Sequence, residues 1–180
     1  LIDRQKRSEI ELELTEFDSN ILDNFSEKRK VGENDSYICS LIRQDSVEDF
    51  VSFINRTNTS ISKTKIKLSI FETNSFLIKK EPTLIEYSAF YGSIQIFNYL
   101  RFSKVELSPS LWIYAIHGRN AEIIHLLEEN HVYPKDISYN ECLKEAIKCH
   151  HNEIGQYIED NLMNSNKYDE KVIKSIFHHC

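Results

Sequence analysis

The sequence predicts an all-α, helical-pair solenoid with an amphipathic helix at its N-terminal end. Three observations predict it. Residues 83–100 and 110–127 carry one pattern twice, and with Ser88 placed on Ala115 the copies align without a gap, 27 residues apart. Each copy opens with a small hydroxyl residue and an apolar pair, carries a small residue in mid-helix, breaks at a polar turn and closes on an Ile-rich run. Self-similarity at a period of roughly 20–50 residues marks units that stack because none can hide its apolar face alone. A weaker third copy at 141–158 puts Ala146 on Ala115, an offset of 31. Only 4 Gly and 3 Pro in 180 residues, with abundant Ile, Leu, Glu and Lys, favour helices over a many-turned β fold.

Residues 1–30 read as one amphipathic helix. Ile10, Leu14, Phe17, Ile21 and Phe25 recur at three- and four-residue intervals and share a stripe. Glu9, Glu11, Glu13, Glu16 and Asp18 precede Lys28, Arg29 and Lys30, the order that suits the helix dipole. This helix is expected to cap the first repeat's apolar flank, with self-association or partner docking through residues 1–30 as alternatives.

Residues 31–180 are expected to form the repeat array. Residues 31–35 make a turn, and residues 36–55 a divergent helix pair broken at Gln44 and Asp45. There Asp45-Ser-Val-Glu48 reads as a capping box, in which Asp accepts the third amide while Glu reaches back. An insert at about 55–82 follows. Its first half is rich in Ser, Thr and Asn, and then Ile66, Leu68 and Ile70 alternate with Lys67 and Ser69 as an extended segment or surface strand. Thr83-x-x-Glu86 is a second capping box, and Ser108-Pro109 offers a cap with Pro at the first helical position. Asn120 and Asn152 can cap second helices, with His151 the other residue that could open the last of them. A helix at 167–180, with Val172, Ile173, Ile176 and Phe177 on one face, has no partner helix after it. It either caps the stack or precedes further repeats.

The pairs resemble ankyrin repeats. Thr83 and Ser110 stand where that family opens with Thr, and Ile85, Trp112 and Leu143 where it has Leu. Ser88-Ala89, Ala115-Ile116 and Ala146-Ile147 take the place of its Ala pair. Gly92-Ser93 takes the place of its Gly-His turn, which Arg119-Asn120 and His150-His151 fill in the later copies. Ile96-Phe97-x-Tyr99-Leu100, Ile123-Ile124-x-Leu126-Leu127 and Ile154-Gly155-x-Tyr157-Ile158 match the second-helix run. The opening Pro and His and the Gly-rich hairpin between repeats are absent. Residues 32–162 are also similar to a divergent ankyrin-like family expanded in parasitic protists, on segments such as Gly32-Glu-Asn-Asp-Ser36 and Lys148-Cys-His-His-Asn152. That family has no assigned function and no catalytic residues. The resemblance implies that the first helices line a concave face on which the residues flanking the small pair point outward.

Those positions are Tyr87, Phe90 and Tyr91, then Tyr114 and His117, then Glu145 and Lys148. They are the expected partner-binding row, since exposed aromatics give large contact area at low ordering cost. All seven histidines lie after residue 116, near Cys142, Cys149 and Cys180. No pair has the close spacing of known zinc sets, so neither metal nor cofactor is expected. Cys149 beside His150 or His151 makes a poor nucleophile, because adjacent helical residues point apart and no oxyanion loop is evident. The basic clusters at 28–30, at Lys63, Lys65 and Lys67, and at Lys79 and Lys80 read as hydrated surface.

With 41% apolar and 28% charged residues the chain can bury a core without staples. A net charge of −6 argues against a general nucleic-acid binder, which needs a basic face to release phosphate counterions. Four cysteines without close pairing suggest reduced thiols in a cytoplasmic protein. No apolar run approaches the roughly 18–20 residues of a membrane span. The expectation is a non-enzymatic repeat module that binds a protein partner. The alternative is a metal-binding regulatory or enzymatic domain built from the His/Cys-rich C-terminal third.

Overall fold

A computed structural model describes residues 19–135 and 137–163, with side chains from Phe25 onward. The expectations for residues 1–18 and for a helix at 167–180 lie outside the described residues. Among these the chain is all-α, with helices α1 (Ser19–Val31), α2 (Tyr37–Arg43), α3 (Val47–Thr57), α4 (Leu84–Tyr91), α5 (Ile94–Phe102), α6 (Leu111–Gly118), α7 (Ala121–Glu129), α8 (Asn140–Lys148) and α9 (Asn152–Tyr157). A π-helical turn, Ile158–Met163, continues α9. No helix among the described residues is long and apolar enough to cross a membrane.

The chain divides into two compact units. The first joins the N-terminal segment as far as Ser36 to Lys67–Lys80, the second half of the insert. The α1 helix ends on Lys28, Arg29 and Lys30. Phe25 meets Phe71 edge-on with ring centroids 5.2 Å apart. Lys28 pairs with Asp35 at 2.9 Å, while the other Asp35 oxygen accepts the Ser69 hydroxyl. The buried Asn34 amide donates to Lys67 O, and the Thr73 N–H and hydroxyl both donate to Gly32 O. The alternation at 66–70 therefore belongs to the extended segment of the two expectations and not to a surface strand. Leu68 and Ile70 are exposed, and the segment is held by side chains of the turn after α1.

The second unit is Tyr37–Ile66 with the chain from Glu81 onward. An isolated bridge, Lys65 to Thr83, closes the base of the insert, where Ile66 N–H donates to Pro82 O at 2.7 Å. Each first helix packs on the next, α2 on α4, α4 on α6 and α6 on α8. The second helices α3, α5 and α7 pack in the same order. Ser88, Ala115 and Ala146 lie fully buried between first helices, as small residues at a close helix crossing should. Trp112 fills the core beneath α6, and its indole N–H donates to Val132 O at 2.6 Å.

One turn recurs in every pair. Asp45, Gly92, Arg119 and His150 all take left-handed backbone, with φ of 51°, 66°, 50° and 57°. Their N–H groups donate to Ile42, Ala89, Ile116 and Ile147, each three residues back. A left-handed residue closes a helix by satisfying its orphan carbonyls, and glycine adopts it without steric cost. The second helices α3, α5 and α7 end on the same device, at Asn58, Lys104 and His131.

Several local expectations are corrected. Thr83 and Glu86 do form the reciprocal capping box, but Asp45 and Glu48 do not. Ser46 is the N-cap of α3 and makes no side-chain cap, while the Asp45 carboxylate turns to α5 and accepts the N–H groups of Gln95 and Ile96 at 2.9 Å each. Left-handed backbone at Asp45 aims the carboxylate away from its own helix. The α6 helix starts at Leu111 after Ser110, so Ser108 and Pro109 precede it instead of capping it. Asn120 caps α7, but α9 is preceded by His151, not capped by Asn152.

Candidate functional site

The expected partner-binding residues are brought together as one row across α4, α6 and α8. At one end Arg43 of α2 donates to the Tyr87 hydroxyl at 3.1 Å and lies over the Tyr91 ring. Tyr87 and Tyr91 pack at 4.8 Å between centroids, Phe90 and Tyr91 at 5.0 Å, and Phe90 stacks on the His117 imidazole at 5.0 Å. His117 Nε2 lies 3.0 Å from Glu145 Oε1, and Lys148 Nζ donates to Glu145 Oε2 at 2.9 Å. The i, i+3 spacings on each short helix put these side chains on one face.

The row is not a band of exposed aromatics, and that expectation is corrected. Tyr87, Phe90 and Tyr114 are 1%, 8% and 7% exposed. Neighbouring first helices approach so closely, over Ser88 and Ala115, that rings flanking the small residues fill the seam. Burial, then the Cys39 thiol and the Tyr91 hydroxyl, hold Tyr87 in its neutral form. Burial and then the Glu86 charge do the same for Tyr114. Tyr91, His117 and Glu145 are half-buried, and Lys148 is exposed.

A residue absent from the expected row completes its far end. Cys149, the C-cap of α8, places Sγ 3.5 Å from His117 Nδ1 and 3.8 Å from Nε2. Donor atoms of His117, Glu145 and Cys149 all lie within 4.8 Å of one another. Sequence spacing could not pair them, since Cys149 and His117 are 32 residues apart. Only the 31-residue offset of the weak third copy hinted that α8 would lie beside α6.

The electrostatics at this end oppose one another. Burial raises the Glu145 pKa, but hydrogen bonds from Lys148 and His117 outweigh it and hold the carboxyl below its usual range. Burial and then the Glu145 charge push the Cys149 thiol up. A thiol at a helix C-terminus also faces the negative end of the dipole. Together these keep Cys149 protonated, the reverse of what an activated nucleophile needs.

No protein-family model matches the chain, and no curated protein or solved structure matches it.

A second feature lies on the other side of the last two pairs. A cleft of about 530 Å³ between α7 and α9 is lined by Arg119, Ala121, Ile124, His125, Glu153, Ile154 and Tyr157. The Tyr157 hydroxyl donates to the Glu128 carboxylate at 2.9 Å, and the His125 ring meets Tyr157 edge-on. Of the expected histidine-rich C-terminal third, His150 is exposed, His151 donates from Nδ1 to Ile116 O, and His178, His179 and Cys180 lie outside the described residues.

Proposed function

We propose that the chain is a divergent, ankyrin-like stack of helix pairs that works as a non-enzymatic protein-binding module. The observation that carries the repeat reading is the turn at Asp45, Gly92, Arg119 and His150, which has one backbone geometry in four otherwise dissimilar sequences. A stack of such units grows by nearest-neighbour packing, and its outer faces are free to vary. The thiol of Cys149, pushed up by burial and then by the Glu145 charge, speaks against nucleophilic catalysis.

In this reading the buried rings of Tyr87, Phe90 and Tyr114 form a rigid floor. The contact surface is what stands above it: Tyr91, His117, Glu145 and Lys148. A rigid aromatic floor under polar groups keeps the ordering cost of binding low. Photocrosslinking tests the assignment. A photoreactive residue at position 91 or 148 is expected to give one shared discrete adduct in cells, while the same residue at Phe102, exposed at the end of α5, gives none. Equal adducts from all three positions, or none from 91 and 148, would overturn it.

A further inference from the structure

We propose that His117, Glu145 and Cys149 form a three-ligand site for a zinc-class divalent cation, which ties α6 to α8. The inference shares His117 and Glu145 with the proposed contact surface but concerns what joins α6 to α8, and its metal-binding readout fails or holds independently of partner capture.

The first argument is geometric. Zinc bonds of about 2.3 Å to thiolate sulfur and about 2.0 Å to imidazole nitrogen and carboxylate oxygen, in a tetrahedron, place sulfur and nitrogen about 3.6 Å apart and nitrogen and oxygen about 3.3 Å apart. From His117 Nε2 the sulfur is at 3.8 Å and the carboxylate oxygen at 3.0 Å. Both separations match within a few tenths of an ångström. The sulfur and the carboxylate oxygen lie within 4.8 Å of each other, so ion binding would draw these two donors together.

The second argument is chemical. One sulfur, one nitrogen and one oxygen donor make a borderline-soft set that suits zinc better than magnesium or calcium. Thiolate and carboxylate together neutralise a dication. Ion entry replaces the thiol proton, which leaves to solvent, and the imidazole hydrogen resides on Nδ1 while Nε2 binds. Supporting contacts are already in place. Lys148 holds Glu145 Oε2 and leaves Oε1 facing the site, while Phe90 stacks on the imidazole and limits its rotation. Three protein ligands leave a fourth position for water.

The third argument is structural need. The α4 helix buries six side chains, whereas α8 buries only Cys142 and Ala146. Among the described residues α8 thus contributes few fully buried apolar side chains. A cation bridging α6 and α8 would add a link to the packing that already joins them.

The test is cobalt titration of the full chain, made without a tag and with Cys180→Ser to remove a competing thiol. A thiolate-to-cobalt charge-transfer band should saturate at one equivalent and vanish when zinc is added. Cys149→Ser, nearly isosteric, should abolish the band with an unchanged far-UV spectrum, and Cys142→Ser should keep it. Glu145→Gln should weaken binding by more than roughly 10-fold, the effect usual even for a supporting residue. Zinc should also slow amide exchange across Asn140–Lys148. Absence of the band, or its persistence in Cys149→Ser, would overturn the proposal.

Discussion

A carboxylate oxygen of Asp45 accepts the backbone N–H of Ile96 at 2.9 Å, across 51 residues of sequence. Its other oxygen accepts Gln95 N–H, so Asp45 caps α5 although it stands at the turn of the preceding pair. Ser93, the residue before α5, makes no cap of its own and donates instead to Ile42 O at 2.6 Å. Consecutive pairs are thus fastened turn to turn. Asp45→Ala should cost about 1–2 kcal/mol in urea unfolding, the usual worth of an N-cap. Asp45→Asn should cost less, because Asn tolerates left-handed backbone and still offers one acceptor. Equal stability of Asp45→Ala and wild type would show the bridge to be idle.

Two glycines should respond in opposite directions to alanine. A Cβ on Gly118 would stand 2.1 Å from Ala89 O, a backbone atom that cannot yield. Gly118→Ala should therefore force α4 and α6 apart and lower the melting temperature steeply, by roughly 2 kcal/mol or more in stability. A Cβ on Gly155 would meet only Leu143 and Ala146 side chains, at 3.6 and 3.8 Å. Gly155 lies inside α9, so Gly155→Ala should raise stability by about 0.5–1 kcal/mol.

Trp112 is fully buried, and Tyr139 stands edge-on to it at 5.0 Å. Trp112→Phe removes the donor to Val132 O and leaves a void under α6. Chemical denaturation should register a loss of about 2–3 kcal/mol. Trp112→Phe with wild-type stability would place the core elsewhere.

Burial and then the Glu128 hydrogen bond push Tyr157 up to about 12 from an ordinary value of 10.0. A phenol whose folded pKa is raised contributes stability that is fully present below the unfolded pKa and is lost as pH rises through the folded one. The stability difference between wild type and Tyr157→Phe should hold constant up to about pH 10 and shrink between there and about pH 12. Urea midpoints at a series of pH values would measure it. A difference that grows with pH would contradict the neutral-donor role given to Tyr157.

Sequence alone determined what depends on neighbours a few residues apart. The helix pairs, their breaks at Gly92, Arg119 and His150, the Thr83–Glu86 box and the small residues at Ser88, Ala115 and Ala146 all follow from i, i+3 and i+4 relationships that every helix obeys. Only the tertiary structure decided what depends on how closely helices from different pairs approach. It buried Tyr87, Phe90 and Tyr114, which the resemblance to ankyrin repeats had placed on an open face. It turned Asp45 from its own helix to the next, and it brought Cys149 to His117. The physical reason is that a helical pattern fixes the direction of a side chain, whereas its burial and partners are set by the separation of packed helices, which no spacing within one helix encodes.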